Sequence, residues 1–414
     1  MLKKYSCIQL LFVLVASALH AQNNELRVYG FSQTQFDYWK GNTTVTVPNP
    51  QNSTSTIDLK NNIERNGFMM VQTNILFSKN LDDNTSIFVN AEYTRNADAE
   101  RNFGSVNLRE AWVNFYVNEL LSVKAGTMLP RFNRLSEIRN RVPLFNYNYR
   151  PVVYEEAVRN LADGQTFVPD FANFMVHGKH SVGLSSEFVY AAYVGNSDLN
   201  FLSRVNSQEN LVTSGVDTTN YILVGGRVGF NTSSIKFGDL SVGFSGTYDN
   251  KAKYISSSDI ATINAIGVQV ENIGAVPRIR LGYDFFYQLN SWQIESEGIY
   301  LKFNPSDKQK TQFDILQNVP FPFTEFTNNY TGSYWYSALT KSFNNAFLTA
   351  KLERLHADYN NLNSNPVWLH SYTIGYRFDN SVVTRFETFF NKGRASDAFR
   401  IDNVFYSFSI GFTF

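Results

Sequence analysis

The chain has 414 residues, and its 36 Lys and Arg balance 36 Asp and Glu. That neutrality argues against a global nucleic-acid-binding role, which needs a basic surface. Its one cysteine, Cys7, lies at the extreme N-terminus, so the remainder offers neither a disulfide framework nor a thiolate metal site.

Residues 1–21 read as a secretory signal peptide for Sec-type export. Lys3 and Lys4 form the basic segment, Ile8 to Val15 the apolar one, and Ala16, Ser17, Ala18 and Ala21 the small-residue region. Cleavage after Ala21 leaves Gln22 first; cleavage after Ala18 is the alternative. Losing Lys3 and Lys4 leaves 34 basic against 36 acidic residues, a net charge of −2. No later apolar run approaches the length of a spanning helix. Phe (36) and Tyr (23) are abundant and Pro (11) is sparse.

The dominant period is two. Met69, Val71, Thr73, Ile75 and Phe77 share one face, with Met70, Gln72 and Asn74 on the other. Ile87, Val89, Ala91 and Tyr93 alternate with Ser86, Phe88, Asn90 and Glu92, and Ile279 to Tyr287 alternate with Arg278 to Gln288. Such alternation marks strands with one apolar and one polar face. Sixteen are expected, at 26–39, 67–80, 85–96, 105–117, 120–129, 171–179, 183–195, 221–231, 240–250, 278–289, 292–303, 331–342, 346–356, 367–378, 381–391 and 403–414. Asn107 to Ser122 also carries helical spacing, but Val113, Phe115, Tyr116 and Val117 favour a strand. Tight turns (Leu81 to Asn84, Asn290-Ser291, Asp379-Asn380) alternate with long polar segments such as Gly41 to Arg65 and Asn196 to Asn220. Short turns at one end and long loops at the other predict an all-β fold, a transmembrane antiparallel barrel of about sixteen strands, with fourteen or eighteen as alternatives. It fills 22–414 as a single domain.

The last strand keeps Val404, Tyr406, Phe408, Ile410, Phe412 and Phe414 on one face. Gly411, Phe412 and Phe414 match the terminal signal read by the barrel-assembly machinery. Together with Arg27 to Phe31, Leu108 to Val113 and Val123 to Phe132, these residues give a chain that resembles the Gram-negative porin superfamily, particularly phosphate-selective-type porins and their Bacteroidota relatives. The resemblance implies a homotrimer in outer-membrane lipid, with a loop folded into the lumen. It implies passive diffusion of small hydrophilic or anionic solutes. The dense lysine cluster of strict phosphate selectivity is missing.

The connection 130–170 follows the fifth expected strand and is the candidate lumen loop. Arg131, Arg134, Arg139, Arg141 and Arg150 fall in its first half with Glu137; Glu155, Glu156, Asp163 and Asp170 fall in its second with Arg159. A narrow passage edged by one sign of charge concentrates counter-ions. The loop is thus a candidate constriction with modest anion preference; a merely solvated loop is the alternative. Glu92, Glu110, Glu187, Arg280, Asp284, Glu295, Glu297, Lys351, Glu353, Arg385 and Glu387 share the polar parity of their strands and are expected to face the lumen. On the lipid side a midplane Lys or Arg would cost about 2–4 kcal/mol.

No nucleophile elbow, zinc-protease motif or phosphate loop occurs. His177 and His180 read as a solvated turn after the sixth strand, and His356 and His370 as flanking the seventh loop. No catalytic, cofactor or metal site is expected. A plugged barrel with a structural or adhesive role is the main rival, and a barrel hydrolase a lesser one.

Overall fold

The computed structural model describes residues 26–49, 52–94, 105–155, 164–197, 201–205, 211–217, 221–253, 264, 267, 269, 274–317, 331–357, 365–378, 381–396 and 399–414. The expected signal peptide, the Asp379-Asn380 turn, Glu156, Arg159 and Asp163 lie outside them.

In chain order the strands are β1 (Arg27–Asn49), β2 (Asn52–Asn80), β3 (Thr85–Thr94), β4 (Ser105–Asn118), β5 (Leu121–Met128), β6 (Ala172–Val182), β7 (Ser186–Asn196), β8 (Phe201–Val205), β9 (Leu211–Asp217), β10 (Ile222–Ser234), β11 (Gly238–Lys253), β12 (Gly274–Leu289), β13 (Trp292–Phe303), β14 (Thr331–Phe343), β15 (Ala346–Ala357), β16 (Val367–Arg377), β17 (Val382–Ser396) and β18 (Phe399–Thr413). All but β8 and β9 form one closed sheet of sixteen antiparallel strands, each paired with its neighbours and β1 with β18. Closure satisfies every strand edge, which hydrocarbon demands. No helix among the described residues is long and apolar enough to cross a membrane.

The closing seam joins Gly30 and Phe414, whose backbones exchange hydrogen bonds of 2.8 and 3.0 Å. A Cβ on Gly30 would meet the Asn74 carbonyl and the Phe414 ring below 3 Å, so only glycine lets three strands close here. Both chain ends of the barrel thus sit at the end with the short turns. Asn290 and Asn344 take positive φ there, at 53° and 54°, as two-residue hairpin turns require.

Alternation resolves into two surfaces. Val228, Phe244, Leu281, Leu339, Ile374 and Ile410 are exposed on the outside; Asn74, Arg280, Glu353, Ser371, Glu387 and Ser409 are buried inside. The outside is an apolar band. Phe412 and Phe414, at 41% and 60% exposure, belong to it. Gly411 points inward, its virtual Cβ 3.1 Å from Arg385 and 3.3 Å from Pro143.

Several local expectations change. The polar stretch 41–65 is not a loose loop: β1 and β2 pair without a break from Gly41–Ile63 to Pro48–Thr56, and β18 pairs with β1 as far as Val45. Threonine-rich sequence suits extended backbone, and neighbouring strands supply the pairing. Stretch 196–220 likewise contains the β8–β9 hairpin. Val71 is an extra residue opposite the Gln33–Thr34 step, so parity flips there and the face of Thr73, Ile75 and Phe77 does not run on through it. His177 and His180 both lie within β6; the turn comes at 183–185. Asn107 to Asn118 is strand, with a bulge at Arg109 opposite the Asn90–Ala91 step.

Candidate functional site: a loop across the lumen

Between β5 and β6 the chain leaves the wall and fills part of the barrel. It contains a short helix α1 (Arg134–Ile138), 3-10 turns at Val142–Leu144 and Val152–Tyr154, and helix α2 (Gly164–Phe167). This irregular backbone cannot satisfy its own N–H and C=O groups, and burial makes that costly. The wall supplies the partners. Glu297 accepts from the Leu135 N–H at 2.6 Å and the Tyr154 hydroxyl at 2.8 Å. Glu353 accepts from the Val152 N–H at 2.7 Å, and Glu387 from the N–H groups of Asn148 and, at 3.0 Å, Tyr149. Cations serve the carbonyls: Lys351 donates to Tyr149 O at 2.7 Å, Arg385 to Tyr147 O at 3.0 Å and Arg280 to Thr166 O at 2.9 Å.

Around these bonds lies an apolar core inside the lumen. Phe132, Phe145, Tyr149, Val152, Tyr154 and Phe167 of the loop pack with Ile299, Leu301, Tyr334, Leu355, Leu369 and Phe389 of the wall. Polar contacts extend the contacted wall to β11, through Asn133 and Ser245 at 2.7 Å, and to β2, through Asn140 and Gln72. The loop therefore seals the wall from β11 round to β2 and leaves β3 to β7 and β10 facing the rest of the lumen.

Most of the wall charges singled out by parity are buried and not free to meet solutes. Arg280, Asp284, Arg385 and Glu387 are each 1% exposed or less. Arg280 also binds Asp249 at 3.0 Å, and Asp284 is gripped by Arg227 through two nitrogens at 2.8 and 2.6 Å. Glu92 is buried against Arg109 and Asn74. Glu110, beside the Trp112 indole at 3.4 Å, and Glu295 keep partial exposure. For the residues of β12 to β17 the physical reason is the loop, which covers what alternation left open; Glu92, on β3, is covered instead by Arg109 and Asn74.

The loop's own charges divide. Arg139 is 12% exposed and donates to the Asp170 carbonyl at 2.8 Å; burial draws its guanidinium below the ordinary value while Asp170 opposes the shift. Arg150 reaches Glu155 at 3.4 Å and the Arg139 carbonyl at 2.9 Å, with both side chains of the Arg150–Glu155 pair nearly buried. These three residues hold the loop's shape. Arg131, paired with Glu137, and Arg134, stacked on Phe286, remain partly exposed, and Arg141 is exposed. Sequence reasoning overlooked further cations on the open side, among them Arg227, Lys124 and Lys179. Lys124 lies 4.1 Å from the Trp112 ring centre; its inward parity with Ser122 was the available signal. His177 Nε2 lies 3.1 Å from Asn114 Oδ1. No group of three metal-ligating side chains occurs among the described residues.

No family model and no curated protein matches the chain. Solved structures do match its fold. The anion-selective porin of Comamonas acidovorans aligns at TM-score 0.53 and 11% identity, covering 95% of this chain and 100% of that one. The trimer form of in-vitro folded OmpT, an outer membrane protein of Vibrio cholerae, aligns at 0.52 and 11%, covering 95% and 100%. The outer membrane channel DcaP of Acinetobacter baumannii aligns at 0.51 and 10%, covering 95% and 98%. At such identities the likeness is one of architecture, and this chain has the sixteen-stranded barrel fold of outer-membrane porins.

Proposed function

We propose that this barrel is an outer-membrane porin passing small hydrophilic solutes by passive diffusion, with modest anion preference. The observation that carries the reading is the asymmetric loop. It is bonded across the lumen to one side of the wall, while Arg131 and Arg141 retain exposure on the other and Arg134 keeps partial exposure against Phe286 of β12. A charge in a confined passage acts through less water than one on an open surface, so few residues can bias permeation. Glu110 and Glu137 on the same side temper the bias. Replacing Arg131, Arg134 and Arg141 together with Gln should shift the reversal potential in a salt gradient toward cations, most at low ionic strength. An unchanged potential would remove the loop from selectivity.

The reading includes Sec-type export, homotrimer assembly in lipid, and a terminal strand recognised through Gly411, Phe412 and Phe414. Replacing Phe412 and Phe414 with Ser should leave the protein unassembled, seen as loss of the heat-modifiable band. The apolar packing of the loop against the wall gives a second reading some weight: a plugged barrel with a structural or adhesive role. Single-channel recording separates them, since a plugged barrel conducts no ions. Neither reading requires an enzymatic step.

A further inference from the structure

At the short-turn end, between the root of the loop and the wall of β6, β7, β10 and β11, lies a cavity of about 730 Å³. Arg131, Arg134 and Glu137 border it from the loop; Glu187, Arg227 and Asp239 border it from the wall. Its cations are not equivalent. Arg131 pairs with Glu137 and Arg227 with Asp284. Arg134 is different: its guanidinium carbon sits 3.6 Å from the Phe286 ring centre, and among the described residues it makes no ion pair or hydrogen bond. Stacking fixes the plane of the guanidinium and leaves its N–H edge free, the geometry that grips a carboxylate through two bonds.

The facing wall is a connected set of amides and hydroxyls. Ser241 donates to Asn231 at 2.7 Å and Asn231 to Glu187 at 3.1 Å. Each hydroxyl has lone pairs to spare, so this wall can both donate to and accept from a polyol. Glu187 and Asp239 add acceptors for sugar hydroxyls and oppose a second negative charge. The volume falls within the range of small-molecule sites.

We propose that this cavity is a binding subsite for a singly charged hydroxylated carboxylate, a sugar acid, with its carboxylate on Arg134 and its hydroxyls on the Glu187–Asn231–Ser241 wall. The proposal deepens the porin reading, since it names a solute class for the same lumen, but its test requires no conduction.

The test is calorimetric titration of the full barrel, folded in detergent and verified by heat-modifiability, with potassium glucuronate. Glucose and acetate are the controls, since each keeps only half of the recognition. Glucuronate should bind saturably, and glucose and acetate each about tenfold more weakly or worse. Arg134→Gln should weaken glucuronate about tenfold or more. The pair Asn231→Ala and Ser241→Ala should weaken glucuronate and leave acetate unchanged. Wild-type affinity in Arg134→Gln, equal binding of acetate and glucuronate, or no saturable binding to a correctly folded barrel would each overturn the subsite. Binding that persists in a barrel that conducts nothing would overturn the porin reading alone.

Discussion

The two sides of the lumen are built from the same alternating strands and end in opposite states. From β11 round to β2 the inner face carries Glu297, Glu353, Glu387, Lys351 and Arg385, all 2% exposed or less, beneath a layer of loop aromatics. Across β3 to β7 and β10 the charges include Glu92, buried against Arg109, and Glu110, Lys124, Lys179, Glu187 and Arg227, paired with neighbouring side chains or stacked on rings, with the Lys179–Glu187 pair 51% and 32% exposed. The sealed side spends its charges on backbone groups of a loop that has little regular structure. The open side spends them on each other and on water. An inward charge in a barrel is thus not by itself a selectivity residue: what lies over it decides.

The largest effect should come from removing the cover. Replacing the segment between Leu129 and Phe171 with a short Gly-Ser link exposes the sealed wall, and unit conductance should rise several-fold in a barrel that still shows heat-modifiability. Unchanged conductance would mean the loop does not limit the passage.

Next in size is a comparison of one ion pair from each side. Lys351→Met leaves Glu353, fully buried and bonded to the loop, without its cation. Removing one partner of a buried pair costs about 3–5 kcal/mol. Glu187→Gln acts on an exposed pair and should change stability by less than about 1 kcal/mol. Denaturation midpoints in detergent measure both; similar costs would erase the distinction between the sides.

Smaller still is the contrast within the loop. Arg141→Gln should move the reversal potential toward cations and leave the melting midpoint in place. Arg139→Gln should do the reverse, because its bond to the Asp170 carbonyl ties the loop's start to its end. Epitope tags complete the set with no energetic effect: tags in 41–65 should be reachable on intact cells, and tags at Asp82-Asp83 should not.

The barrel was legible because its signal is local and repeated. A strand in a closed sheet between lipid and lumen must alternate, so Ile279 to Tyr287 announces both its conformation and its outer face. Sixteen strands could be placed that way, and the tight turns gave away the end where the chain closes. Legibility failed where spacing breaks, as at Val71, whose extra residue reverses parity. It failed also where polarity was taken for looseness, as in the long hairpin of β1 and β2.

Where the alternation is unbroken, sequence by itself indicated which side chains share a face, because parity depends only on the backbone between neighbours. It could not determine which of them water reaches. Glu387 and Glu110 carry the same alternation signal, yet one is buried under Asn148 and Tyr149 while the other keeps partial exposure. Arg139 and Arg141 stand two residues apart in one basic run, yet one braces the loop and the other is exposed. Those assignments depend on how an irregular segment lies across strands more than a hundred residues away, as Leu135 on Glu297. Contacts of that range exist only once the sheet has closed around the loop and burial forces each backbone group to find a partner.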